Sequence, residues 1–222
     1  MTFYDRLVRE TAPERDRFLS IPLIREALAS GGPRSLYLAF LAEAYHHVKH
    51  TFPLLALAAS RTTDARYQGA LLEYMEEERG HESWILADIR ALGGNAEAVR
   101  DGRPGPACRV MVAFAYHAIE HTSPYAMLGS VHVLEGMSVL LADRLANVLR
   151  RQFGGSEGEG FSYLVSHGSL DLEHVAFFRT LVNDLHDPLA QDTVIDHAKM
   201  FYRLYGDIFR ELGARGELSH AA

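Results

Sequence analysis

Cysteine is nearly missing from this chain: Cys108 is the only one in 222 residues. That excludes an internal disulfide framework and fits a reducing cytosol. A basic surplus is missing too, since the formal net charge is −7. No electropositive stripe remains to neutralise phosphates, so a nucleic-acid partner is not expected. No unbroken apolar run reaches the roughly 18 residues of a membrane helix. The opening MTFYDRLVRE is charged and amphipathic, unlike a signal peptide. A soluble, cytoplasmic protein without membrane partners is the expectation. Strand signals are scarce as well, whereas helical periodicity runs almost throughout. An apolar share of 48% with 23% charged residues suits a globular chain able to bury a sizeable core.

Helix breakers divide the chain. Pro22 is a first-turn proline within residues 3 to 30, and Gly31-Gly32-Pro33 opens a long helix carrying Leu36, Phe40, Leu41, Ala44 and Val48 on one face. Pro53 kinks or ends that helix. Asp64 caps the next, which is expected to run to Leu92 and stop at Gly93-Gly94. Residues Asp101 to Pro106 read as a loop, followed by helices over Ala107–His121 and from Ser123-Pro124 to Phe153. After the GGSEGEG connector come helices near Ser162–Leu185, with Ser162 as a cap, and Asp192–Leu212. The reading is all-α: one domain over 1–222, a bundle of about seven helices.

Twelve histidines are the conspicuous surplus, most of them between His46 and His174. In His167-Gly-Ser-Leu-Asp171-Leu-Glu-His174, positions 167, 171 and 174 fall within about 60° of one another on a helix. They form one column that Phe178 and Leu181 continue toward the interior. Two imidazoles and a carboxylate there suit Fe, Mn or Zn; a polar patch closed by a salt bridge at the core edge is the plainer reading. Glu78 and His81, three apart in EEERGH, repeat a spacing that helical bundles use for di-iron sites, although acidic helical runs are usually solvated, as Glu76 and Glu77 are expected to be. Glu135 interrupts an apolar helix (Met127, Leu128, Val131, Val133, Leu134, Met137), and a lone buried carboxylate is costly unless paired or metal-bound. The three segments together are more specific than any one.

With Glu78 and His81, then Glu135, then His167-x-x-x-Asp171-x-x-His174, the chain resembles the haem-oxygenase-like di-iron oxidases and oxygenases of the TenA/PqqC-like helical superfamily. The resemblance extends over nearly the whole chain and implies that these six residues bind two Fe(II) ions, the second labile, with Glu77 as the alternative to Glu78. It implies an O2-dependent non-haem oxidoreductase of specialised biosynthesis, a homodimer with an external electron donor. The substrate class implied is a small amine, amino acid or carboxylic acid, undergoing N-oxygenation, oxidative C–C cleavage or decarboxylation. His46, His47 and His117 are candidate substrate contacts.

Other readings have their own residues. Gly129-Ser-Val-His-Val-Leu-Glu-Gly136 is similar to the glycine-containing distal helix of haem oxygenases, yet no histidine precedes His46 as a haem ligand. Glu43-x-x-His46 with Glu78-x-x-His81 would suit a ferritin-like pair, but those helices are consecutive and His167, Asp171 and His174 would have no role. A TenA thiaminase needs a pocket cysteine, and Cys108 reads as a small apolar residue. A non-catalytic metal-binding or regulatory protein on the same fold is the alternative outside enzymology.

Overall fold

The computed structural model describes the backbone of residues 1–154 and 159–220, with the side chains of those stretches other than 167–173 and 216–220. Eleven helical segments account for nearly all of it: α1 (Phe3–Leu19), α2 (Pro22–Ser30), α3 (Arg34–Val48), α4 (Thr51–Arg61), α5 (Ala65–Glu78), α6 (His81–Ala91), α7 (Ala96–Asp101), α8 (Pro106–His121), α9 (Ala126–Phe153), α10 (Ser162–Asn183) and α11 (Pro188–His220). The count exceeds the expected seven or so because short breaks divide what periodicity reads as continuous. The break between α3 and α4 falls at Lys49-His50, leaving Pro53 inside the first turn of α4, where its missing N–H costs nothing. Another interrupts the expected 64–92 helix: Arg79 is extended and Gly80 takes φ +91°, a left-handed value that glycine adopts without a Cβ penalty. The short α7, capped by Asn95 accepting from the Ala98 N–H, occupies the approach to the 102–105 loop.

Local sequence explains most helix starts. Thr2 and Asp5 form a capping box on α1, Pro22 and Pro106 open α2 and α8, and Asp64 accepts from the N–H groups of Arg66 and Tyr67 at α5. At α10 the cap comes from another helix. Ser162 is the first helical residue rather than the cap. The backbone N–H groups of Ser162 and Tyr163, and the Ser162 hydroxyl, donate to the buried Asp88 carboxylate of α6 at 2.7–2.9 Å.

Helix α9 is the axis of the molecule. It packs most extensively on α10 and α11, and its ends reach two apolar cores. One core gathers Phe18, Leu55, Leu71, Met111, Met127, Phe178 and Phe201; the other gathers Tyr37, Leu41, Ile85, Ala142, Leu149 and Phe161. Among the described residues α9 alone is long and apolar enough to cross a membrane, although Glu135, Asp143 and Arg144 interrupt it and most of it lies inside the fold. Gly129 marks its tightest crossing: a Cβ there would come within 2.8 Å of the Val194 carbonyl and the Ala198 nitrogen on α11.

Candidate functional site

An open cavity of about 190 Å³ lies along α9 between the two cores. Its wall is aliphatic and aromatic almost throughout. Glu78 and Glu135 are the formally charged residues on it, and no lysine or arginine lines it among the described residues.

The two carboxylates approach two buried imidazoles. Glu78 ends α5 and His81 begins α6, so they flank the Gly80 break instead of sharing one helical face as their spacing predicts. The break turns the chain and still leaves Glu78 Oε2 at 3.2 Å from His81 Nδ1. From α10, His174 presents Nδ1 at 3.6 Å from Glu135 Oε1 and 4.0 Å from Glu78 Oε1. Its other nitrogen, Nε2, lies 2.9 Å from Glu77 Oε2. Glu77 is therefore engaged with the site although its side chain is 43% exposed; the acidic run offered no signal for that contact. His81 and His174 are each 5% exposed. Among the described residues no three His, Cys, Asp or Glu side chains close on one point able to hold an ion. The side chains of His167 and Asp171 lie outside the described residues.

Two aromatic residues frame the cluster. The Trp84 indole stacks on the His81 imidazole at 4.1 Å, and the Tyr74 ring meets His174 edge-on at 6.0 Å. Tyr74 lies one turn before Glu78 and its hydroxyl is buried, with no hydrogen-bond partner among the described residues. Burial, reinforced by the charges of Glu135, Glu77 and Glu78, holds that phenol well above its usual range, so it stays a neutral donor.

Of the three candidate substrate contacts, only His47 lines the cavity, edge-on to Tyr205. His46 does not: consecutive residues on a helix point about 100° apart, and this one turns away to meet Lys49 Nζ at 3.1 Å, its pKa lowered to about 4 by burial and then by Lys49. His117 does not either. It is exposed on α8 beside His121, on the side opposite the cavity-facing Met111 and Ala115.

The features behind the other readings sit elsewhere. Gly129 faces α11 and is absent from the cavity wall. Glu43 is held by the Gly105 N–H, which approaches both carboxylate oxygens at 3.0 Å, so it pins a loop rather than pairing with His46. Cys108 is fully buried off the cavity, its thiol pushed up to about 12 by burial, which makes it inert as a nucleophile.

Comparison with known proteins agrees with this architecture. The chain matches no curated protein. A protein from Shewanella denitrificans with a haem-oxygenase-like fold superposes with a TM-score of 0.88 at 22% identity, over 98% of this chain and 94% of that one. A TenA homologue from Pyrococcus horikoshii gives 0.78 at 12% identity, over 96% and 98% of the two chains. The haem complex of Synechocystis haem oxygenase-1 gives 0.76 at 14% identity, over 100% and 96%. These likenesses establish the haem-oxygenase-like fold. Residues 38–206, well over half of the chain, match the profile of one family, and the protein therefore belongs to the iron-containing redox enzymes.

Proposed function

We propose that this protein is an O2-dependent non-haem iron oxidase or oxygenase, in which Glu78, His81, Glu135, His167, Asp171 and His174 hold up to two Fe(II) ions at the wall of the α9 cavity. The observation that carries the reading is the approach of Glu78 and the buried Glu135 to two buried imidazoles, from three separate stretches of chain beside an apolar cavity. The donor chemistry fits iron: imidazole nitrogen and carboxylate oxygen are its ordinary protein ligands. Two carboxylates whose side chains are each only 11% exposed, with no lysine or arginine among the described residues of the shared wall, also call for a cation. When bound, iron supplies the redox chemistry, reducing dioxygen with electrons from an external donor to oxidise an organic acid or amine.

The chain's own residues do the remaining work. Glu77 accepts from His174 Nε2, fixing the tautomer in which Nδ1 faces Glu78 and Glu135; a carboxylate behind a ligating histidine is a recurrent orienting device. Trp84 holds the His81 ring by stacking. Tyr74 offers a neutral hydroxyl to the head of whatever occupies the cavity, and the apolar wall excludes water from the reacting end.

Anaerobic loading with Fe(II), followed by elemental analysis and oxygen-electrode traces, tests the assignment. The expected result is up to two ions per chain and oxygen uptake in the presence of a reductant. His174→Ala and Glu135→Ala should lose most of the metal, whereas His186→Ala, on the surface, should keep it. Glu77→Gln should weaken iron binding about tenfold, within the range for outer-shell partners, as read by competition with a chelator. Equal iron content in all these variants, or a loaded protein inert to oxygen, would overturn the proposal.

A further inference from the structure

The wall contributed by α9 is one stripe at helical spacing that runs from Met127 through Ser130, Leu134, Met137 and Leu141 to Leu149. Its one charge, Glu135, divides it unequally, with eight residues of wall toward Met127 and 14 toward Leu149. From Glu135 to Leu149 the stripe runs 14 residues, about 21 Å at the helical rise of about 1.5 Å per residue, without another ionisable group. The cavity is also lined by Leu36, Tyr37 and Val48 of α3, by Tyr163 and Leu164 of α10, and by α2 with the Gly31–Pro33 turn. A small, strongly polar substrate such as a free amino acid would fill only the acidic site. It would leave this lobe wet and apolar, at a cost of about 25 cal/mol for each Å² left uncovered. The polar site is compact: Glu78, Glu135 and the buried Tyr74 hydroxyl, which has no hydrogen-bond partner among the described residues, converge there, and that hydroxyl can donate to the head of a ligand.

We infer that the occupant of this cavity is an elongated amphiphile, with one compact polar head at Tyr74, Glu78 and Glu135 and a long hydrocarbon body laid along α9 toward Leu145 and Leu149. The inference rests on the proposed iron function only for what happens at the head; the body is recognised by the lobe itself.

The test is a binding ladder on the metal-free full-length chain. Straight-chain carboxylic acids and straight-chain primary amines, each from butyl to hexadecyl, are titrated by calorimetry. In at least one series Kd should fall about fourfold for each added methylene, the factor equivalent to about 0.8 kcal/mol, until the lobe is full. The series that shows the ladder identifies the head. Ala142→Phe, two turns along α9 from Glu135, should end the ladder at shorter chains and leave the short members unchanged. Leu145→Gln should weaken the longest ligands about tenfold while short ones bind as before, and thermal melting confirms that each variant is folded. Tyr74→Phe should weaken every member of the series by a similar factor. Flat ladders in both series, or free amino acids binding as tightly as the longest chains, overturn the inference. A flat ladder in protein that still binds iron and consumes oxygen overturns this inference alone; a steep ladder in protein that binds no iron overturns the functional proposal alone.

Discussion

Six of the described histidines are buried, and four of them, His81, His132, His174 and His197, fall into two different kinds of surroundings. His132 and His197 have hydroxyl partners: Thr11 Oγ1 lies 3.2 Å from one and Ser130 Oγ 2.9 Å from the other, and His197 is stacked between Phe114 and Phe201. Burial lowers both pKa values to about 4, with the Arg15 charge adding to the effect at His132. His81 and His174 have carboxylates around them instead. Burial and helical spacing are the same in both pairs, so neither identifies a ligand. The charge of the partner separates them: a hydroxyl satisfies a neutral ring, while several carboxylates around two imidazoles leave a deficit that the proposed iron would fill.

The comparison is broken most directly by exchanging the losses. His197→Ala should leave iron content unchanged and cost about 2–4 kcal/mol of stability, as large-to-small core substitutions do. His174→Ala should do the reverse, losing iron with a smaller shift in the metal-free melting temperature. Elemental analysis and denaturant unfolding on both variants decide, and a matched loss of iron would erase the distinction.

Acid should act on the hydroxyl-bonded pair next. Their folded pKa values of about 4 lie below the ordinary value of 6.5, so between those limits the unfolded chain binds more protons than the folded one. Stability supported by the neutral rings is complete above pH 6.5 and is lost as pH falls from 6.5 toward 4, on the order of 3 kcal/mol for each ring. His46, also lowered to about 4, adds an equal share, so urea unfolding of metal-free protein at successive pH values should show this slope and His197→Gln should flatten about a third of it. An unchanged slope in that variant would place the acid sensitivity elsewhere. The smallest effect is optical. Trp84 is the only tryptophan and stacks on His81, so Co(II) or Fe(II) should quench its emission in proportion to occupancy, and His81→Ala should abolish the response.

Legibility in the sequence followed how local each cause is. Pro22, Asp64 and the Gly31–Pro33 break act through neighbouring backbone, and the helices start and stop there. Glu135 stood out because an apolar helix surrounds it, and it does approach His174. The Gly80 break did not stand out: a lone glycine in a strongly helical run is usually tolerated, and only the bend of the folded chain requires its positive φ. The contact of Glu77 with His174 and the Asp88 cap are long-range contacts between residues distant in sequence, invisible to periodicity. His46 and His47 are adjacent, and only packing decides which of the two faces inward.

Asp88 ties these threads together mechanically. Helix α6 begins with His81 and, two turns later, grips the first turn of α10 through Asp88. The helix that starts at one candidate ligand thus anchors the root of the helix that carries another, His174. It behaves as a short strut: a load at one end, such as the pull of a bound cation on His81, is transmitted to the other. Occupancy at the site should therefore be readable about ten ångströms away as slower hydrogen exchange at the Ser162 and Tyr163 amides, given the rise of about 1.5 Å per residue along the strut.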